Sequence, residues 1–263
     1  MSAPAPADVR FRPDAVAGIV DREWRVFKRV WRSIMFGSIV EPVVYLLAFG
    51  YGFGALVAEV AGIPYIDFMA TGAAGVGVLF TGFFPGFING YFRRAENHLY
   101  DGLMAAPITV AELVTGEAVW TGIRCAATAA VTLTIAAIFG VDLSPWVVTV
   151  PLIGFVGGFA FACFGAAFAA KLRSTHQFDF VISGVVVPMF VVAGSFFPVE
   201  DAPAWLRLPA RVNPLTHVVS LFRAAAFADT GVGQLLISGA VVVAFTAAAW
   251  LLAVRMLRRA LVS

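Results

Sequence analysis

The stretch VVTVPLIGFVGGFAFACFGAAFAA, residues 147–170, runs for 24 residues without an Asp, Glu, Lys or Arg. A helix of about 20 apolar residues crosses the hydrocarbon core of a bilayer, so this stretch predicts a transmembrane helix. The rest of the chain has the same character, because 60% of its 263 residues are hydrophobic and only 13% are charged. A soluble domain carries roughly 25% charged residues. The composition therefore excludes an ordinary soluble enzyme.

Five further apolar stretches have a similar length, and together they predict an all-α membrane protein with six transmembrane helices. The predicted spans are 33–56, 66–90, 117–139, 147–170, 178–197 and 235–255. Six spans of about 20 residues use roughly 120 residues, and the remainder is sufficient for loops, a tail and surface helices. We therefore treat 33–263 as a single membrane domain.

An amphipathic segment precedes the first predicted span. Residues 1–13 are rich in alanine and proline, lack the apolar region of a signal peptide and are interpreted as a flexible cytoplasmic tail. In residues 14–32, bulky apolar side chains recur every three or four positions, while basic side chains occupy the other face. This pattern is typical of an interfacial helix that lies in the membrane surface. A helix packed on a soluble domain has the same pattern, but no soluble domain follows it here.

The distribution of basic residues predicts that both termini are cytoplasmic. With the six spans above, fourteen of the 18 Lys and Arg residues fall in the tail, the surface helix, the second and fourth loops and the C-terminus, and three fall on the other side. Short loops rich in Lys and Arg stay in the cytoplasm. This rule assigns the loop 91–116 to the cytoplasm and the loop 198–234 to the outside.

These two loops are longer than a turn between helices requires. In the inner loop, residues 93–101 are polar and predict a short cytoplasmic helix. The sequence from Thr109 to Glu112 then matches a capping box, which predicts a new helix start. In the outer loop, Asn213-Pro214 supplies an N-cap followed by proline at the first helical position, which predicts a short helix at 214–228.

The chain lacks the motifs of common catalytic and nucleotide-binding sites. Neither of its two lysines belongs to a P-loop. Its histidines, His98, His176 and His217, fall in three different loops, and we interpret each as a solvated polar residue. Cys125 and Cys163 lie in apolar segments and are interpreted as small buried hydrophobes. We therefore predict no catalytic residue, metal site or cofactor in this chain, and the small, scattered net charge predicts no nucleic-acid partner.

Two ionisable residues lie deep inside predicted spans, where charge is costly and is usually paired or functional. Glu41 in the first span and Arg124 in the third lie about eight residues from the cytoplasmic boundary, which places both at a depth of roughly 12 Å. We hypothesise that they form an intramembrane ion pair. The alternative is that Arg124 reaches the inner headgroups, while Glu41 bonds to a neighbouring helix or is protonated.

Four stretches follow one another along the membrane domain in a recognisable order. They are EPVVYLLAFGYG at 41–52, LYDGLMAAPIT at 99–109, the segment from FDF at 178–180 to GSFFPVE at 194–200, and NPLTH at 213–217. This ordered set resembles the permease subunits of type-2 ABC exporters, and within them the nodulation lipo-oligosaccharide and daunorubicin exporter permease group.

The resemblance implies partners and site residues. It implies a dimer with a second copy of this permease or a related one, bound to two copies of a separate P-loop ATPase subunit that would hold the ATP and Mg²⁺. A coupling helix in the first inner loop would contact this ATPase, spans one and five would flank the substrate path, and the short outer helices would form an extracellular gate. The coupling candidates are Arg93, Arg94, Glu96, Asn97, Tyr100 and Asp101. The path candidates are Tyr45, Phe49, Phe53, Phe190 and Phe196. The gate candidates are Phe197, Trp205, Asn213 and His217.

The leading hypothesis is a multi-pass permease subunit of an ATP-driven exporter in the plasma (inner) membrane. It would move an amphipathic substrate, such as a glycolipid, a lipid-linked oligosaccharide or a hydrophobic drug, without hydrolysing ATP itself. Two alternatives stay open. A proton-driven carrier or channel predicts charged rings or discontinuous helices at the midplane. A membrane-embedded lipid-modifying enzyme predicts catalytic side chains clustered at one depth, for which the sequence offers mainly Glu41 and Arg124.

Overall fold

The computed structural model describes residues 11–57, 59–60, 62–97, 99–104, 106–199, 202–228 and 230–262. The described chain is helical apart from turns and one short β-ladder. Its α-helices are α1 (Pro13–Tyr45), α2 (Tyr65–Phe84), α3 (Leu99–Met104), α4 (Val110–Ile138), α5 (Val150–Lys171), α6 (Phe178–Val181), α7 (Val187–Val191), α8 (Ala204–Val212), α9 (Pro214–Phe227) and α10 (Val232–Val262). Segments of π-helix lie at Leu46–Phe53, Pro85–Asn89, Phe92–Glu96 and Ile182–Val186, and 3₁₀ turns lie at Pro145–Thr149 and Thr175–Gln177.

Within the described residues, four helices are long and apolar enough to cross a membrane. They are Tyr65–Glu96, Val110–Ile138, Pro145–Lys171 and Val232–Leu261. They overlap the predicted spans at 66–90, 117–139, 147–170 and 235–255. A fifth span is complete if Pro13–Ile34 and Ile39–Gly50, which meet at an angle of 41°, are counted as one bent helix. The chain is therefore nearly all-α, with four or five helices that can span a bilayer.

The helix in the predicted span 178–197 is shorter than expected. The apolar helix there is Thr175–Val191, and its 17 residues rise roughly 25 Å, which is less than the ~30 Å hydrocarbon core. It ends because the chain turns at Gly194, where φ is +73°, a left-handed conformation that glycine adopts without strain. Hydropathy does not reveal this turn, since Phe196 and Phe197 continue the apolar character beyond it.

The first helix combines the predicted surface helix with the start of the predicted first span. Residues 1–10 of the predicted tail lie outside the described residues, and α1 begins at Pro13. The bend between Ile34 and Ile39 lies close to the predicted boundary at residue 32. Before the bend, Trp24 and Trp31 are exposed.

The capping box at the start of α4 is confirmed. The Thr109 side chain accepts a hydrogen bond from the Glu112 amide at 3.2 Å, and Oε2 of Glu112 accepts one from the Thr109 amide at 2.6 Å. The other carboxylate oxygen of Glu112 accepts a hydrogen bond from the Arg12 amide at 2.5 Å. The fully buried Glu112 side chain therefore caps α4 and also holds the beginning of α1.

The cap of α9 is confirmed as well. Oδ1 of Asn213 accepts a hydrogen bond from the Leu215 amide at 3.1 Å, and Pro214 occupies the first turn. The helix ends one residue earlier than predicted, because Ala228 adopts a left-handed φ of 55°. The side-chain amide of Asn213 also donates to the Met189 carbonyl at 2.7 Å, so the cap joins α9 to the end of α7.

Small residues bring α5 into close contact with α4 and with the π-helix Pro85–Asn89 that follows α2. A Cβ placed on Gly158 of α5 would overlap the Cβ and Sγ atoms of Cys125 on α4, and one placed on Gly86 would overlap the backbone of Ala162. Cys125 and Cys163 are both buried, which confirms their interpretation as small core residues. A two-residue β-ladder, β1 (Glu59–Val60) paired with β2 (Ile63–Pro64), precedes α2, and the all-α prediction omits it.

Candidate functional site

Five side chains form an ion-pair and hydrogen-bond network that we call the Arg93 network: Arg22, Glu23, Arg93, Tyr100 and Glu117. Arg93 donates from one terminal nitrogen to Glu117 at 2.7 Å and from the other to Glu23 at 3.0 Å. Arg22 also bonds to both carboxylates, reaching Glu117 at 3.3 Å. The Tyr100 hydroxyl donates to Oε2 of Glu117 at 2.7 Å. Two cations therefore neutralise two carboxylates in one cluster.

The Arg93 network joins four separate parts of the chain. Arg22 and Glu23 belong to α1, Arg93 to the π-helix after α2, Tyr100 to α3 and Glu117 to α4. The Glu23 side chain is only 8% exposed and that of Arg93 only 24%. Removal of one partner from a buried ion pair leaves an uncompensated charge, which is strongly destabilising. The network therefore makes these four segments depend on one another.

Tyr100 takes part in this network as a neutral hydrogen-bond donor. Burial of the side chain and the negative charge of Glu117 both raise the pKa of its phenol well above the ordinary value. The proton therefore stays on the hydroxyl, and the hydroxyl can donate to the Glu117 carboxylate. The side chain is 2% exposed, so this bond is shielded from water.

The predicted coupling residues divide into two groups. Tyr100 and Arg93 face the chain's own network, and Arg94 donates to the carbonyls of Ala169 and Leu172 at the end of α5, at 3.1 and 2.6 Å. Glu96 and Asn97 are exposed, whereas the side chain of Asp101 lies outside what the structure describes. That these residues act in ATPase coupling stays a prediction.

A cavity of about 230 Å³ adjoins the Arg93 network, and we call it the network cavity. Its walls include Trp120 and Cys163, and it reaches Ile34 and Arg124. Ile34 and Arg124 also line a second cavity of about 310 Å³, which we call the Glu41 cavity. The lining of the Glu41 cavity is Ser33, Ile34, Gly37, Glu41, Pro42, Tyr45, Ala73, Gly77, Thr81, Arg124 and Thr128. The two cavities are therefore neighbours that share a wall.

Glu41 and Arg124 both line the Glu41 cavity, as their equal predicted depth requires. The salt bridges that the structure places among the described residues do not include one between them. The Nε atom of Arg124 is buried and has no hydrogen-bond partner among these residues. The structure thus brings the two side chains to one cavity, and their direct pairing stays a prediction.

Aromatic rings form a continuous row beside this cavity. Tyr45 and Phe49 stack with ring centroids 5.9 Å apart, and Phe49 and Phe53 stack at 5.5 Å, because they are spaced four residues apart on one helix face. Phe196 contacts Phe49 at 5.6 Å and Phe190 at 5.1 Å. The five residues predicted to line a substrate path therefore lie together, while that role stays a prediction.

Arg223 organises the opposite end of α2, although it was not among the predicted site residues. Its guanidinium donates to the Gly194 carbonyl at 2.7 Å and to the Thr71 hydroxyl at 3.3 Å, and it lies 3.8 Å from the centroid of the Phe68 ring. These contacts join α9 to the first turns of α2 and to the turn after α7. The available signal was an arginine on the apolar helix 214–228, where an unpaired charge would be costly.

The predicted gate residues have different environments. Trp205 on α8 is 75% exposed and Phe197 is half-buried, whereas Asn213 is a buried cap. His217 is also buried, so its interpretation as a solvated residue is wrong: its ring nitrogens bond to the Arg211 carbonyl at 2.9 Å and to the Ser238 hydroxyl at 3.2 Å. The ring is buried because α10 packs across this face of α9. His176 is exposed as expected, and His98 lies outside the described residues.

Four long apolar helices within the described residues define a multi-span membrane protein. Comparison with known families gives its class. A model of the ABC-2 type transporter family matches residues 15–227. This match covers most of the chain, and the chain therefore belongs to the ABC-2 type transporter family as a transport permease.

Individual relatives are similar along most of their length. Nodulation protein J of Sinorhizobium fredii (strain NBRC 101917 / NGR234) is 27% identical over 243 residues, which cover 92% of each chain. Nodulation protein J of Neorhizobium galegae is 26% identical over 205 residues, or 78% of each chain. The inner membrane transport permease YadH of Escherichia coli (strain K12) is 21% identical over 211 residues, covering 80% of this chain and 81% of that protein.

Proposed function

We propose that this chain is the transmembrane subunit of an ATP-driven exporter in the plasma membrane, working with a separate P-loop ATPase subunit. The observation that carries the proposal is the Arg93 network. It connects α3, in the loop where an ATPase would dock, to α1 and α4, which line both cavities. Family membership favours ATP as the energy source over a proton gradient.

The network offers a mechanical route from the loop to the cavities. A displacement of α3 would act on α4 through the bond between Tyr100 and Glu117, and on α1 through the bond between Arg93 and Glu23. Closure of the ATPase subunits would then move these helices as rigid bodies. Exposed residues of the loop, Glu96 and Asn97, would contact the partner, and the buried ones would transmit the motion.

We propose six spans with both termini in the cytoplasm. Four long helices supply four of them, the segment 33–56, most of which follows the bend in α1, supplies another, and Thr175–Val191, continued by the turn that follows it, supplies the sixth. Fourteen of the 18 basic residues then lie on the cytoplasmic side, as the positive-inside rule requires. The first half of α1 would lie in the membrane surface, with Trp24 and Trp31 as anchors.

An amphipathic substrate fits the proposed path. The path would begin at the Glu41 cavity, which carries charged and hydroxyl side chains. From there it would follow the aromatic row, whose members are Tyr45, Phe49, Phe53, Phe190 and Phe196. A glycolipid, a lipid-linked oligosaccharide or a hydrophobic drug combines such polar and apolar parts. A second copy of this permease, or a related one, would complete the path from its other side.

The proposal is tested by reconstitution with a P-loop ATPase subunit that copurifies with this chain. We expect ATP hydrolysis and ATP-dependent movement of a fluorescent lipid in proteoliposomes that contain both subunits, and neither activity with this chain alone. Vanadate, which traps such ATPases, should stop both activities. Movement of the lipid that needs only a proton gradient and no ATPase subunit would contradict the proposal and favour a proton-driven carrier.

A further inference from the structure

The Glu41 cavity contains one charged side chain of each sign without an ion pair between them. Glu41 lies on α1 and Arg124 on α4, and both border the cavity. Neither takes part in a salt bridge that the structure places among the described residues. Charged groups at this depth of a membrane protein are costly unless they are paired or hydrogen-bonded. The cavity therefore offers a guanidinium at Arg124 and a carboxyl group at Glu41 to a ligand.

Arg124 borders the cavity with a guanidinium, which has five N–H donors. Its Nε is buried and has no hydrogen-bond partner among the described residues, so a ligand in the cavity would bind the terminal nitrogens. Guanidinium groups bind phosphate with particular strength, because two parallel N–H donors match two phosphate oxygens. Thr81 and Thr128, which each carry a hydroxyl group, line the same cavity. This set suits a phosphate group, and the Glu41 carboxylate suits an ammonium group.

An apolar groove adjoins this cavity. The groove has a volume of about 490 Å³ and is lined by Phe36, Gly37, Val40, Glu41, Val44, Tyr45 and Phe49. It shares Gly37, Glu41 and Tyr45 with the cavity, so the two spaces meet at the Glu41 side chain. Phe36 is 70% exposed. A ligand that fills both spaces needs a polar head and an apolar chain.

We propose that the Glu41 cavity and this groove bind an amphiphile with a zwitterionic head, in which Arg124 binds a phosphate, Glu41 binds an amine and the groove holds an acyl chain. A lipid with a phosphoethanolamine head has this chemistry. The inference rests on the proposed function, because it assumes that the cavity faces the lipid bilayer. It narrows the proposed amphipathic substrate to lipids with a zwitterionic head. The same chemistry belongs to a transported lipid and to a resident bilayer lipid, and the experiment below separates these two sources.

The first arm of the test varies the ligand and uses the wild-type chain. The full-length protein in detergent is mixed with dioleoyl-phosphatidylethanolamine, with its N-acetyl derivative, which keeps the phosphate but lacks the amine, or with dioleoylglycerol. Bound lipid is measured by native mass spectrometry. We expect binding to weaken by about tenfold or more at each loss of a charged group, since a hydrogen bond to a charged group typically contributes this much. Equal binding of the three lipids would overturn the proposal.

The second arm varies the two side chains. Arg124→Gln should weaken the binding of both phosphate-containing lipids by about tenfold. Glu41→Gln should remove the preference for phosphatidylethanolamine over its N-acetyl derivative. Lys171→Gln and Asp179→Asn, which change exposed charges outside this cavity, are the matched controls and should bind as wild type does. Size-exclusion chromatography shows which variants fold, and the ligand arm decides the question if the cavity variants do not.

A transport measurement then separates this proposal from the proposed function. Selective binding together with ATP-driven movement of phosphatidylethanolamine, in liposomes that contain the ATPase subunit, supports both and identifies a transported lipid. Selective binding without movement of any amphiphile supports the site, identifies a resident lipid and contradicts the export function. ATP-driven export of another amphiphile, with no preference for the amine in the binding arm, contradicts the zwitterion site alone.

Discussion

The hydroxyl of Tyr100 donates a 2.7 Å hydrogen bond to the Glu117 carboxylate, and this bond connects the short helix α3 to α4. The same carboxylate bonds to Arg93, which in turn bonds to Glu23 on α1. The phenol therefore connects α3 directly to α4 and, through Glu117 and Arg93, to α1, and its removal tests whether α3 drives these helices.

Tyr100→Phe should uncouple ATP hydrolysis from transport in the reconstituted complex. The variant keeps the ring in its buried site and removes one hydrogen bond to a charged group, which costs about 1.5–3 kcal/mol. We expect hydrolysis to continue while lipid movement falls severalfold. Tyr91→Phe is the control, because its hydroxyl makes only a 3.5 Å contact with the Arg173 carbonyl. Equal transport by the two variants would show that the Tyr100 bond does not transmit motion.

Glu23→Gln should destabilise the protein far more than Asp21→Asn, although both residues lie on α1. Glu23 is buried with Arg22 and Arg93, and loss of one partner from such a pair costs about 3 kcal/mol or more. Asp21 pairs with Arg25 at the surface, where a salt bridge contributes about 0–1 kcal/mol. Thermal unfolding in detergent measures both. Similar midpoints for the two variants would contradict a structural role for the Arg93 network.

Arg223→Lys should weaken the association of α9 with α2. A lysine keeps the charge but cannot donate to Gly194 and Thr71 together while it lies over the Phe68 ring. We expect a loss of about 1–3 kcal/mol, seen as a lower unfolding temperature and faster protease cleavage near Gly194. Arg207→Lys, at an exposed position on α8, should have no effect. An unchanged unfolding temperature in Arg223→Lys would show that the charge alone suffices.

Gly158→Ala should disturb the contact between α4 and α5, since the added methyl group would overlap Cys125. Overpacking of this kind costs about 1–3 kcal/mol, and Cys125→Gly in the same chain should restore part of the loss. Gly239→Ala is the control, because its Cβ would meet no atom within 4 Å. That change should stabilise α10 by up to about 1 kcal/mol. Thermal unfolding in detergent measures the stability of each variant. If Gly158→Ala alone is as stable as the wild type, α4 and α5 do not approach closely at Gly158.

Local signals in the sequence predicted local structure well. Thr109 with Glu112, and Asn213 with Pro214, identify helix starts because the capping atoms lie within three residues of one another. The row of Tyr45, Phe49 and Phe53 follows from a four-residue spacing. Hydropathy located four spanning helices because each of them is one uninterrupted apolar segment of the sequence.

Features that depend on distant contacts were not predictable in this way. The inward direction of Tyr100 depends on Glu117 of another helix, and the burial of His217 depends on α10 packing over α9. The end of the helix at Val191 depends on a backbone turn at Gly194 that composition does not encode. Whether Glu41 and Arg124 pair directly or face a shared cavity also depends on the distance between α1 and α4. The sequence alone does not specify that distance.

The capping carboxylate of Glu112 has a mechanical consequence for the first helix. Its bond to the Arg12 amide fixes one end of α1 to α4, and Glu23 fixes a second point about three turns later through Arg93 and Glu117. Because α1 is bonded to α4 at two points, the part of α1 between these points cannot rotate independently of α4. We therefore expect relative rotation of α4 and the membrane part of α1 beyond both points, where the 41° bend between Ile34 and Ile39 lies beside the Glu41 cavity.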